Sequence, residues 1–394
     1  MVEYLERRCF TMQTVAFTMQ QASRLSLLHH LQQGGINNVQ AAEALQISVR
    51  QVQRLRRQVE QLGPAGVLHG NAGRAPANKT DHALHARVLQ LVYEHYTHYN
   101  FSHLEDTLAQ EHGLVISRET LRTWLRPLGI GRPMRRLQKH RRRRPRSARE
   151  GQLLFLDGSP HRWFGPEQPD CGLLLASDDA TGKPLVGLFQ PSEDRDGCFR
   201  VCLQLFASYG LPAAFYLDRA SHFLTTRHGL PEGQTLPPTQ FQRALNELAV
   251  ALKFAHSPQA RGRGERLNGS FQGRLVAEFL HQRIADLGQA SDFLNRSFIP
   301  RYQQRFACPP QDARPAWRAV PARIDLRAVL CRKERRVVSH DNTVSLDGAR
   351  WQLLPIKRCQ SYVKASVTLH CWTDGSLHVV HPRWGELPVV PAPP

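Results

Sequence analysis

The stretch LLFLDGSPHRWF, residues 153–164, carries four apolar residues, Leu153 to Leu156, directly into Asp157. A short unbroken apolar run reads as a buried strand, which puts Asp157 at its C-terminal end. A second run, LPAAFYLDRASHF (211–223), delivers Asp218 in the same way. A third carboxylate, Glu265, lies in SPQARGRGERLNGSFQGRLVAEF (257–279), which reads as a loop passing into a helix with Leu267, Phe271, Leu275 and Phe279 on its inner face. Hard oxygen ligands from two strand ends and one helix suit divalent metal. Two such ions about 4 Å apart suit phosphodiester chemistry, one activating the attacking oxygen and one stabilising the departing oxygen. Asp157, on a central strand, is the expected bridge. The plainer alternative is that each carboxylate caps an element at the surface. Asp178, Asp179, Glu193, Asp194 and Glu278 compete, and spacing alone excludes none of them. Asp157 and Asp218 are preferred because each follows an apolar strand. Glu265 is preferred over Glu278 because Arg261, Arg263, Arg266 and Asn268 surround it and would let DNA reach it.

Outward from Asp157, CGLLLASDDATGKPLVGLFQ (171–190) predicts two strands about a turn at Thr181 to Lys183, forming an antiparallel meander with the first strand. A helix over 200–209 then crosses to the strand ending at Asp218, which suits a parallel pairing. A helix with Phe241, Leu245, Leu248 and Leu252 inward precedes a short last strand near Lys253. The fold class expected for the whole chain is multidomain: all-α helix-turn-helix units, an α/β core of ribonuclease H type with a mixed five-stranded sheet, and a small C-terminal β-barrel. The boundaries are 1–70 for a first helix-turn-helix domain, 78–130 for a second, 131–150 for a basic linker, 151–306 for the core with its trailing helix, and 326–394 for the β-barrel. In that last segment ASVTLHCWTDGSLHVV (365–380) alternates, with Asp374-Gly375 as a hairpin turn.

The N-terminal pattern points to nucleic acid. Ala41, Ala42 and Leu45 line one short helix. After a turn at Gln46 and Ile47, Ser48 can cap a second helix with Val49, Val52, Leu55 and Val59 inward. That second helix turns Arg50, Gln53, Arg54 and Arg57 outward, side chains able to contact phosphates and base edges. The alternative is a plain three-helix bundle with a charged surface. GPAGVLHGNAGRAPANK (63–79) reads as a linker, in which Gly73 and Arg74 either follow a narrow groove or merely space the domains. From Asp81 a second helical set leads to Ser117 and RETLRTWLRPLG, with Glu119 and Thr120 near capping-box positions and Arg118 and Arg122 outward. Between Arg132 and Arg149 lie ten basic residues, among them Arg141, Arg142, Arg143 and Arg144, with few apolar side chains to fold them. Nucleic-acid backbone is their natural partner.

The chain has 394 residues and a formal net charge of +19, which favours a polyanionic partner without specifying a fold. No apolar run approaches a membrane span and no signal-peptide core opens the chain. The eight cysteines lack the companion histidines of a zinc site and read as reduced thiols. There is no phosphate-binding loop and no dinucleotide fingerprint. Ser159 and His161 lack the nucleophile elbow of a hydrolase. His222 and His256 read better as surface or packed residues than as metal helpers.

LLFLDGSPHRWF, AAFYLDRASHF and S-P-Q-A-x-G-x-x-E-R-x-N (257–268) together resemble the catalytic core of bacterial insertion-sequence transposases with a retroviral-integrase-type fold, most closely the ISNCY-like group. The resemblance covers most of the chain and implies a DDE transposase. Such an enzyme cuts at transposon ends and joins the freed 3′-hydroxyls to target DNA. Asp157, Asp218 and Glu265 would hold two magnesium ions, with manganese as a substitute. The implied partners are double-stranded DNA, as terminal inverted repeats and target, and other copies of the chain in a dimer or higher even-numbered assembly. No membrane is involved, and the setting is the bacterial cytoplasm at the nucleoid. The linker at 131–150 would let one subunit read one end and cut the other. Family members often have Lys or Arg seven residues after the glutamate. Here that residue is Gln272, leaving Arg274 as the alternative phosphate contact. A catalytically silent DNA-binding repressor and a ribonuclease H-like nuclease are the competing functions.

Overall fold

The computed structural model describes residues 18–69, 71, 81–131, 145–218, 220, 223–224, 237–254 and 262–392. They fall into two compact units divided between Ala86 and Arg87.

In the first unit, α1 (Met19–Gln32), α2 (Asn38–Leu45) and α3 (Val49–Leu62) each start where a side chain satisfies an exposed backbone N–H. Thr18 and Gln21 form a reciprocal capping box on α1, and Asn37 and Gln40 do so on α2. Gln46 adopts a left-handed conformation (φ 53°) that stops α2, and Ser48 then caps α3. The turn sits where the sequence predicts it. Leu28, Leu31, Ala41, Ala42, Val52 and Val59 form the shared core, while Arg50, Gln53, Arg54 and Arg57 remain exposed. The linker expected from Gly63 does not begin there. Residues 63–67 form a 3₁₀ turn that buries Val67. Gly66 lies so close to the Gln58 backbone that a Cβ would overlap it.

The second unit begins with α4 (His82–His95), which crosses the division, then α5 (Phe101–His112) and α6 (Arg118–Leu125). Asn100 caps α5, Gly113 ends it in the left-handed region, and Ser117 caps α6 through the Thr120 N–H. Glu119 takes no part in that cap and pairs with Arg122 instead.

The core sheet is built from β1 (Leu154–His161), β2 (Cys171–Asp178) and β3 (Pro184–Gln190), all antiparallel. After α7 (Arg195–Tyr209) comes β4 (Ala214–Leu217), parallel to β1. After α8 (Gln240–Glu247) comes β5 (Ala251–Phe254), parallel to β4. The order β3-β2-β1-β4-β5 makes a mixed five-stranded sheet of ribonuclease H type. Strand side chains alternate between faces. Leu154, Leu156, Leu174 and Phe215 therefore meet α7 and α8. Leu173, Leu175 and Phe189 meet α9 (Gly262–Gln282), α10 (Leu287–Phe293) and α11 (Ile299–Phe306) on the other face. The trailing helix expected to end near 306 runs continuously to Phe306 and carries a π turn at Leu294–Phe298, just before Pro300, which has no N–H to continue the helical ladder. Residues 145–150 belong to this core and not to a linker. Ser147 donates two hydrogen bonds to Asp179 (2.8 and 2.9 Å), and Glu150 pairs with Lys183 at 2.8 Å.

After the short α12 (Leu326–Val329), the last segment forms β6 (Arg332–Val337), β7 (Thr343–Leu346), β8 (Ala349–Leu353), β9 (Ser366–Cys371), β10 (Leu377–His381), β11 (Gly385–Leu387) and β12 (Val389–Pro391). The expected β-barrel is corrected here, because no sheet closes on itself. The strands form two open sheets, β11-β10-β9-β6 and β12-β8-β7, around Val344, Leu353, Val367, Leu369 and Val379. Two local causes are visible. Pro388 separates β11 from β12 and sends the chain from one sheet to the other. The outer edge of β6 is met by a side chain instead of a strand. The Gln240 amide donates to the Lys333 carbonyl at 2.9 Å and accepts from its N–H at 3.0 Å. Asp374-Gly375 is the hairpin turn the sequence predicts, with Gly375 at φ 88°.

Candidate active site

Asp157 lies within β1, and Asp218 directly follows β4. The register pairs Leu154 with Phe215 and Phe155 with Tyr216, and the Phe155 and Tyr216 rings meet edge to face at 5.7 Å. The pairing ends there, and Asp218 lies just beyond β4, its Oδ1 accepting from the Ala220 N–H at 2.9 Å. The Asp157 side chain falls on the face covered by α9.

The first turn of α9 closes over Asp157. A Cβ on Gly264 would stand 3.1 Å from Asp157 Oδ2, so only glycine lets the helix approach this closely without displacing the carboxylate. One turn on, the Asn268 side-chain amide donates to Asp157 Oδ2 at 2.9 Å, with both residues buried. A further turn on, Gln272 donates to Ser159 Oγ at 3.0 Å. Glu265 sits in this first turn beside Gly264 and is exposed. Among the described residues, no three His, Cys, Asp or Glu side chains stand close enough together to hold a metal ion, so the three carboxylates are not gathered into such a group. Their chemistry is that of hard oxygen donors, which suits magnesium.

The competing acids have other work. Asp178 accepts from the Gly151 N–H (3.0 Å) and from the Thr181 N–H and hydroxyl (2.8 and 2.7 Å). Burial pushes its carboxyl above the ordinary range despite these bonds. Asp179 takes Ser147 and pairs with Arg263. Asp194 caps α7 through the Gly197 N–H at 2.6 Å. Glu193 packs against Gly158 on the face opposite Asp157. Glu278 is buried against His103 (3.0 Å) and Arg301 (3.3 Å).

Several expected DNA contacts are placed differently. Asn268 is turned inward onto Asp157, and Arg263 is engaged by buried Asp179. Arg266 is exposed and bonds the Gly262 carbonyl at 2.8 Å. Arg118 is exposed and Arg122 partly so. Arg274 cannot stand in for the basic residue absent at Gln272. It is buried, donates to Asp106 at 2.8 Å and lies over the Phe306 ring at 4.9 Å. Ser159 is also buried, which removes it as a hydrolytic nucleophile beside His161. Arg141 to Arg144, Arg261, His222, His256, Gly73 and Arg74 lie outside the described residues. The inward roles of Gly264 and Asn268 were legible in principle. Positions 264, 268, 271 and 275 form one helical stripe, and Phe271 and Leu275 mark it as the buried one.

Three comparisons relate this chain to known proteins. Residues 24–84 match the winged helix-turn-helix family, although the described residues from 18 to 69 contain helices and no strand. The candidate transposase y4bF of Sinorhizobium fredii is 34% identical over 373 residues, covering 94% of this chain and 80% of that protein. The transposase for insertion sequence IS1202 of Streptococcus pneumoniae is 29% identical over 323 residues, 73% of this chain and 69% of that protein. Among solved structures, a chain of the simian T-cell lymphotropic virus intasome with PP2A regulatory subunit B56 gamma is 14% identical. It covers 78% of this chain and 100% of that chain, at a TM-score of 0.31. The trimeric HTLV-2 integrase catalytic core domain with magnesium is 15% identical, covering 38% of this chain and 86% of that one, at a TM-score of 0.27. With that 34% identity across nearly its whole length, the chain belongs to the family of bacterial insertion-sequence transposases.

Proposed function

We propose that this protein is a DDE transposase, of ISNCY-like type, that cuts at the terminal repeats of its element and joins the 3′-hydroxyl ends to target DNA. The observation that supports the reading is the parallel pairing of β1, which carries Asp157, with β4, which Asp218 follows, together with the close approach of the first turn of α9 to Asp157. Asp157, Asp218 and Glu265 would hold the metal, and two bound magnesium ions would activate the attacking oxygen and stabilise the departing one. Asn268 orients Asp157 by a hydrogen bond, and Gly264 keeps the helix backbone against it. Exposed Glu265 would complete the set from the solvent side, where DNA would arrive. Arg50, Gln53, Arg54 and Arg57 on α3 face solvent as a reading surface for end DNA, and Arg118 and Arg122 on α6 offer a second. The working form is an even-numbered homo-oligomer on paired ends, since two ends meet one target.

The test is incubation of the full chain with the element's own end DNA and magnesium, with every product strand mapped. Cuts at the element boundary followed by strand joining are expected. Specific end binding without any cut would make the protein a silent DNA-binding derivative. Cuts governed by strand structure and not by end sequence would make it a nuclease.

A further inference from the structure

We infer that the second helical unit reads DNA in cis, at a spacing from the active site of its own chain that is set by one helix. The inference rests on the proposed reading that α6 contacts end DNA. Its ground is a seam of polar and charged side chains between α5, α9 and α11. Asn100, the cap of α5, and His103 and Asp106 within it lie three residues apart on one side. The Asn100 amide donates to the Gly273 carbonyl at 2.7 Å. The His103 ring stacks on Tyr99 with centroids 4.0 Å apart, and its Nε2 bonds Glu278 at 3.0 Å. Asp106 accepts from Arg274 at 2.8 Å and pairs with Arg305 at 3.1 Å. Arg301 joins Glu278 at 3.3 Å to Glu111 at 3.8 Å.

This seam is not a surface meeting. The side chains of His103 and Glu278 are 4% and 5% exposed, and those of Asp106 and Arg274 are 10% and 11% exposed. Lifting α5 away would strand buried charges without partners, which disfavours a unit that swings on a tether. The distant unit expected from the 131–150 segment is thus replaced by one packed on α9. The same helix carries Glu265. From Glu265 to Gly273 is eight residues, about 12 Å along the axis at 1.5 Å per residue. The DNA segment held by α6 and the phosphodiester to be cut are then separated by a distance internal to one chain. Asn100, His103 and Asp106 are positioning residues for where the cut falls.

The test uses two full-length proteins of different tag size. One carries Asp157→Asn. The other carries Arg118→Ala, Arg122→Ala and Arg126→Ala, all on the solvent side of α6 and its following turn. Each alone should bind end DNA without cutting it. Mixed complexes, isolated by size on a gel, should also fail to cut, whereas wild type mixed with the arginine variant should cut one end. Cleavage recovered in the complex of the two variants would overturn the inference while leaving the proposed function intact. Cleavage by the arginine variant alone would instead sink the reading of α6, and the inference with it. Asp106→Asn supplies a second readout: the cut should spread to neighbouring phosphodiesters and return to one position in Asp106→Glu. A single unchanged cut position in Asp106→Asn, with only the melting temperature lowered, would reduce the seam to a structural role and overturn the proposal.

Discussion

Replacing Gly264 by alanine should lower catalysis while leaving the fold as stable or more so. The added methyl carbon would sit 3.1 Å from Asp157 Oδ2, closer than ordinary van der Waals contact. Either the first turn of α9 lifts or the carboxylate moves by a few tenths of an ångström. Asp157 is already held by Asn268 at 2.9 Å, so both the carboxylate and its hydrogen bond are disturbed together. Metal–oxygen distances tolerate about 0.2 Å, and loss of a ligand's orienting contact lowers metal affinity or activity by about 10–100-fold. We therefore expect cleavage of end DNA to fall by about that factor at limiting magnesium, with partial recovery at high magnesium. A glycine-to-alanine change within a helix stabilises it by about 0.5–1 kcal/mol, so the melting temperature should hold or rise. Gly269→Ala is the control. It lies in the same helix with nothing within 4 Å of its would-be Cβ, and it should gain the same stability with cleavage unchanged. The assay is single-turnover strand cleavage, with gel-shift affinity and thermal melting on the same preparations. Wild-type cleavage by Gly264→Ala at limiting magnesium would refute the assignment of this turn to the metal site.

Asp157→Asn, Asp218→Asn and Glu265→Gln should each abolish cleavage with end binding retained, and near-normal cleavage by any one of them removes that residue from the set. Neutralising Arg141 to Arg144 should weaken binding to specific and random DNA alike and flatten its salt dependence, measured as the slope of affinity against salt. Arg274→Met leaves Asp106 buried with only the more exposed Arg305, and should destabilise the second unit by about 3–5 kcal/mol in denaturant titration; a loss under about 1 kcal/mol would show that the pair is dispensable. Acid should loosen the same seam. Burial holds the His103 imidazole below its ordinary range against the pull of Glu278. Burial pushes Glu278 up, but the bonds from His103 and Arg301 outweigh it and leave that carboxyl low. Both groups bind fewer protons folded than unfolded, so their stabilisation is present at neutral pH. It is lost as pH falls below about 6.5 for His103 and then below about 4.3 for Glu278. A melting temperature that stays flat from pH 7 to 5 in wild type would contradict this.

The sequence by itself determined most of the elements. Unbroken apolar runs leading into Asp157 and Asp218 announced two buried strands, although β1 continues past Asp157 to His161 instead of ending there. The spacing at Leu267, Phe271, Leu275 and Phe279 announced α9. Ser48 and Ser117 announced the starts of α3 and α6, because capping is a local interaction among residues three apart. Burial by alternation and helical period is likewise local, so the order of strands and the faces of helices could be read along the chain. What acts between distant segments could not. Only the folded chain decided that Asn268 turns onto Asp157, 111 residues away, and that Arg263 and Arg274 are consumed by Asp179 and Asp106 instead of facing DNA. Closure of the C-terminal sheets was equally out of reach, since alternation sets which side chains face inward but says nothing about which edges meet. Here Gln240 from α8 occupies the edge that a barrel would have needed. A carboxylate in sequence is only a charge. Whether it binds metal, caps a helix or locks two helices together depends on what else is brought within about 3 Å of it, and that is decided by packing.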